Sequence, residues 1–199
     1  MLTLHRAGLL FTGTALIEDG AVLVDGATVT AIGPAAELSG GPARVREWPG
    51  VLVPGLLNRH GDWLLEHAYH PDPREGLGEH PLPPPAGLTD EQWGGSARRG
   101  LQRLLGHGVT ALAGTFARPA VRTAAGRSGL RRLPGGDPSP GGLDPLAERA
   151  LTAALHRPLA VGGAADFAVF AAGAVEELDG GGAVCLGTVL DGRLLYRRR

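Results

Sequence analysis

The chain reads as mixed α/β: a β-sandwich assembled from both chain ends, with an α/β segment between them. Three observations predict this. Aspartate–glycine pairs, the dipeptides of tight hairpins, stand at Asp19-Gly20, Asp25-Gly26 and Asp191-Gly192, beside short runs of aliphatic and β-branched residues. A capping pair at Thr89 and Gln92 opens a helical period, and an apolar run from Val109 to Ala113 follows it as a buried strand. Glycine and proline, 33 and 16 of 199 residues, impose many turns and little long helix.

Taken in order, residues 2–32 are short strands with tight turns, Ala21–Val24 and Thr28–Ile32 flanking Asp25-Gly26. Gly33-Pro34 ends the third strand, and Ser39-Gly40-Gly41-Pro42 is a loop. Arg44–Trp48 and Val51–Val53 are two more extended pieces, closed by a corner at Pro54-Gly55. A second apolar pair, Leu56 and Leu57, then delivers Asn58, His60 and Asp62. Trp63 to Tyr69 has room for a short helix; the prolines at 71, 73, 81, 83, 84 and 85 forbid one afterwards and make a surface loop. The helix opened by Thr89 buries Trp93, Ala97, Leu101, Leu104 and Leu105, with Arg98, Arg99 and Arg103 on its wet side, and stops at Gly106 and Gly108.

Residues 117–142 have linker composition, and Asp144-Pro145 opens a helix expected to reach His156. The stretch from Pro158 leads into a strand ending near Phe170, and a last hairpin joins Val184–Leu190 to Arg193–Tyr196. Neither end has enough strands to bury its apolar face alone, so the two are expected to share one sandwich. The expected segments are 1–53 and 151–199 as sandwich halves, 54–116 as the α/β segment, and 117–150 as linker plus helix.

Composition excludes several functions. A formal charge of −1 gives no field for nucleic acid, and Arg197-Arg198-Arg199 is a solvated tail. All 19 basic residues are arginine, so no Schiff base, phosphate-loop lysine or carboxylated-lysine metal bridge can form. Cys185 stands alone, which leaves no internal disulfide. No apolar run approaches the roughly 18 residues of a membrane helix, and the start lacks a basic-then-apolar leader pattern. A cytoplasmic protein is expected.

The residues with chemistry crowd into one stretch. Side chains of a strand alternate faces, so His60 and Asp62 point the same way at a strand end, where barrel enzymes build sites. In His-x-Asp-x3-Glu-His-x2-His, Glu66 and His70 would share a helix face, with His67 beside them. The expected metal ligands are His60, Asp62 and His70; Glu66 and His67 are the candidates for moving protons. Imidazole with carboxylate suits zinc or another divalent transition metal.

The phrase from Pro54 to Asp62 resembles the first barrel strand of the amidohydrolase superfamily, Pro-Gly-x-x-(Asn/Asp)-x-His-x-His, with Asp62 in place of the second histidine. Residues 25–33, 108–110, 162–170 and 187–193 resemble further superfamily phrases in the right order, nearest to its imidazolonepropionase and cytosine-deaminase side. The resemblance implies a composite sandwich, a TIM-type barrel, and metal-activated water hydrolysing C–N bonds of a small molecule. An eight-unit barrel takes about 250 residues, and the chain between Pro54 and Ala150 has room for two or three units. The expected fold is therefore the sandwich plus a truncated barrel remnant, and the later ligands of the family have no counterpart here. Two functions are expected from this: a degenerate homologue lacking the full metal site, or a hydrolase whose site is rearranged or completed by a dimer. A homodimer is expected to cover Val109–Phe116 and the helix face of Trp93, Leu101 and Leu105.

Overall fold

A computed structural model describes residues 1–39 and 41–198. Gly40, in the expected loop at Ser39–Pro42, and Arg199, at the end of the arginine tail, lie outside the described residues. The chain opens with β1 (Leu2–Phe11), β2 (Leu16–Asp25) and β3 (Thr28–Pro34), then a single helical turn, α1 (Ala35–Leu38). Next come β4 (Arg44–Pro54), β5 (Leu56–Asn58), a helical turn at Trp63–His67, α2 (Asp90–Leu105) and β6 (Val109–Ala113). The remainder is α3 (Pro119–Arg127), β7 (Arg131–Leu133), α4 (Leu151–Ala154), β8 (Phe167–Phe170), β9 (Cys185–Leu190) and β10 (Arg193–Arg197).

Both chain ends enter one seven-stranded sheet, ordered β10-β9-β8-β4-β1-β2-β3, in which only β1 and β4 run parallel. The sheet curls until its outer strands meet. Val29 on β3 exchanges backbone bonds with Gly162 and Gly163, just before β8. The β9–β10 turn abuts the β2–β3 turn so closely that a Cβ on Gly192 would collide with the Gly26 carbonyl. A core of Leu10, Val24, Trp48, Leu52, Phe167 and Val189 fills the inside of this curl, as a sandwich requires.

The opposite face of the same strands holds the α/β segment. Along β4 and β8, Leu52, Phe167 and Val169 point into the sandwich, while Val51, Val53, Ala168 and Phe170 pack on α2, α3 and β6. The segments expected as separate units thus share two strands that are buried on both sides. Pro54-Gly55 is the corner between the sheets; a Cβ on Gly55 would strike the Thr110 side chain. Beyond it, β5, β6 and β7 form a three-stranded parallel sheet with no closed barrel.

Several expectations change. Asp19-Gly20 is no hairpin: it lies inside β2, where Asp19 takes a φ of 44° opposite Gly8, and the turn falls at Thr12–Ala15 instead. Arg6 holds Asp19 there through two guanidinium bonds. The region 117–142, expected as linker, contains α3 and β7, so the remnant has a third unit. The helix expected over 144–156 is broken into a turn at Pro145–Ala147 and α4, because the Asp179 carboxylate takes the Leu151 N–H and starts a new helix. Arg99 and Arg103 are not merely solvated; they bind the carbonyls of His70 and Pro71 and fix the proline-rich loop to α2. The face expected at a dimer interface is closed within the chain. Val109, Leu101 and Leu105 are at most 2% exposed, in one apolar cluster with α3, Phe170 and Leu190.

Candidate functional site

In open parallel sheets, ligands collect beyond the carboxyl ends of the strands. Here that edge carries a cleft of about 500 Å³, reached by Leu57 of β5, Ala113 of β6 and Leu133 of β7. None of the site residues singled out in the sequence is among its lining residues.

His60 sits at the end of β5, held by an unbroken set of bonds. Its backbone N–H donates to Asn58 Oδ1 at 2.9 Å, and Asn58 Nδ2 donates to the Gly142 carbonyl. The ring is trapped: Nδ1 faces the Ser139 carbonyl at 3.1 Å, and Nε2 faces Glu148 Oε2 at 2.7 Å. Both ring nitrogens are therefore occupied by oxygen partners within the fold. The other Glu148 oxygen accepts from the Gly142 N–H, and Gly141 lies so close that a Cβ would collide with the imidazole. Segment 136–143 is thus laced over the end of β5.

The other expected ligands turn elsewhere. Asp62 accepts from the backbone N–H groups of Thr115 and Phe116 and anchors the loop after β6. The helical turn ends at His67, so Glu66 and His70 share no face. Glu66 is buried and accepts from Arg118 N at 2.7 Å, capping α3 with a carboxylate from another element. Arg118 in turn lies 4.2 Å over the Trp93 ring. His67 is exposed and stacks on Trp63.

His70 is wholly buried against α2, where a Cβ on Gly100 would meet its ring. Its Nε2 donates to the Leu64 carbonyl at 2.8 Å, and Nδ1 accepts from Arg103. Burial pushes this imidazole down to about 4, the Leu64 bond opposes that, and Arg103 and Arg99 add to the fall. Among the described residues, no three His, Cys, Asp or Glu side chains converge to hold a metal. The expected metal set His60, Asp62, His70 and the proton-moving pair Glu66, His67 are thus not brought together in this fold. The spacing suits one helix face, but Asp62, Glu66 and His70 are each drawn to backbone groups, His60 to Ser139 and Glu148, and His67 to the Trp63 ring. Cys185 is buried, and burial raises its thiol to about 11.

The sequence missed Glu148 as the partner of His60. It lies 88 positions away, with no local spacing to mark it. Arg59, Asp137 and Arg149, the charged lining of the cleft, were equally unmarked.

No family model and no curated protein matches the chain. Solved structures share part of its fold. A zinc-bound adenosine deaminase from Xanthomonas campestris is 23% identical over 66% of this chain and 33% of its own, with a TM-score of 0.48. A guanine deaminase from Bradyrhizobium japonicum is 18% identical over 74% of this chain and 39% of its own, at 0.48. For A. niger ochratoxinase the values are 21%, 67%, 31% and 0.46. These neighbours are amidohydrolase-superfamily enzymes. The chain spans about a third of their length, from 31% to 39%. At such scores the likeness is one of partial outline, and no residue role passes from them to this chain.

Proposed function

We propose that this chain is a degenerate, non-hydrolytic relative of the amidohydrolases, a cytoplasmic module that keeps the sandwich and uses its first strand end for structure. One observation carries the reading: both nitrogens of His60 are engaged, by Ser139 and Glu148, while Asp62 is spent on the Thr115 and Phe116 amides. A zinc ligand needs a free imidazole nitrogen, and a catalytic zinc needs about three protein ligands with one open position. The residues present do not fit that group. The alternative, a metal-dependent hydrolase of C–N bonds in a small molecule with a site completed by a second copy, requires His60 to leave both partners and Asp62 to abandon the loop after β6.

Elemental analysis of protein purified without chelator, followed by zinc titration, tests this. Binding far below one equivalent is expected, unchanged in His60→Ala, with no release of ammonia from purine or pyrimidine substrates when zinc is added. One equivalent of zinc lost in His60→Ala, or ammonia release abolished by it, would overturn the reading.

A further inference from the structure

We propose that the cleft at the carboxyl ends of β5, β6 and β7 binds a small organic carboxylate, its anionic end on Arg59 and Arg149 and its apolar body on Leu57, Ala113 and Leu133. The site needs neither metal nor hydrolysis, so it goes beyond the function proposed above and stands apart from it. Its volume, about 500 Å³, lies in the range of small-molecule pockets. Among the described residues neither Arg59 nor Arg149 makes an ion pair. The one acid in the lining is Asp137, whose Oδ1 accepts both the N–H and the hydroxyl of Ser139. Those bonds hold its carboxyl below the usual value, with His60 and Arg149 adding to the effect. Two guanidinium groups against one committed carboxylate leave the cleft positive, and a guanidinium fork matches a carboxylate edge.

The larger cleft along α2 is a weaker case, because Arg99 and Arg103 already serve Asp72, His70 and Pro71. The walls of the smaller cleft are seated on the strand ends. Asp137 N donates to the Arg59 carbonyl at 2.7 Å, and Gly136 brings the loop so near that a Cβ would press on the Arg59 and Ala113 carbonyls. A preformed cleft costs a ligand little ordering. The lining is mainly polar, and Leu57, Ala113 and Leu133 leave room for only a short hydrocarbon part beside the carboxylate.

Calorimetric titration of hexanoate, benzoate and inorganic phosphate into the full chain tests the site, using the parent, Arg59→Gln, Arg149→Gln and the double variant. Thermal melts check the fold of each, and the exposed Arg59 gives a variant free of packing effects. Sub-millimolar binding of a carboxylate is expected, weakened at least about fivefold in each single variant and lost in the double. Unchanged affinity in Arg59→Gln or in the double variant would overturn the site. So would a parent that binds neither carboxylate, or phosphate binding more tightly than both.

Discussion

His5 and His70 are neutral imidazoles locked by their neighbours. His5 accepts from Trp48 Nε1 at 3.2 Å and meets the Phe167 ring edge-on. Burial lowers it to about 4, and Arg46 adds to the fall. The unfolded chain takes up these protons near 6.5, and the fold takes them only near 4. Across that window falling pH protonates the unfolded state alone, so stability is full above it and drops towards pH 4, by up to about 3 kcal/mol for each histidine. Urea unfolding near pH 7 and near pH 5 measures the drop, and His5→Gln should flatten it; a flat parent profile contradicts the assignment. Glu148→Ala is expected to cost about 1 kcal/mol, because it leaves buried His60 Nε2 without its partner while the exposed Gly142 N–H passes to water. Faster hydrogen exchange at Gly142 is its signature. That Asn58 and His60 stand together at a strand end was legible, since alternation within a strand is local. Their partners at 139–148 were not, because loop closure over such a distance leaves no periodic trace.

The helices separate cleanly by where their ends are satisfied. The Thr89–Gln92 capping box of α2 is written in four consecutive residues, and the structure shows both of its bonds. At α3 the start, Arg118, makes no side-chain cap, and Glu66 supplies the acceptor from another part of the chain. A helix capped in this way cannot be read from its own nine residues, and its composition then passes for linker. The Asp19-Gly20 pair misleads for a related reason: the same dipeptide can sit inside a strand in unbroken register, where the Arg6 contact holds it. Glycine positions give a paired test at this level. In α3 a Cβ on Gly126 meets nothing within 4 Å, so Gly126→Ala should stabilise by about 0.5–1 kcal/mol. In α2 the Cβ of Gly100→Ala would press on the pinned His70 ring, and a loss of about 1–3 kcal/mol is expected. Opposite shifts in melting temperature confirm the pair.

One carboxylate ties the molecule together. Asp166, almost fully buried before β8, accepts from Arg131 on β7, from Arg157, and from Asp191 N in the last hairpin, while Arg131 also pairs with Asp191. Burial pushes its carboxyl up, but those bonds together outweigh burial and hold it below 3.8. Asp166→Ala strands two arginines and an amide, and a loss of about 2–3 kcal/mol is expected after allowing for the partly exposed guanidinium groups. The parallel sheet and the sandwich should then lose their common melting transition, which scanning calorimetry resolves. The joining of the chain ends was legible, because neither had strands enough to close a core. The pairing that seals it sets Val51 of β4 opposite Phe170 of β8. During synthesis at about 5–20 residues per second, that edge of β4 stays open for roughly 6–24 s after it emerges. For that time a β-branched strand end waits in the cell with its hydrogen-bonding groups bare. The nascent chain is where this strand end most needs cover against aggregation.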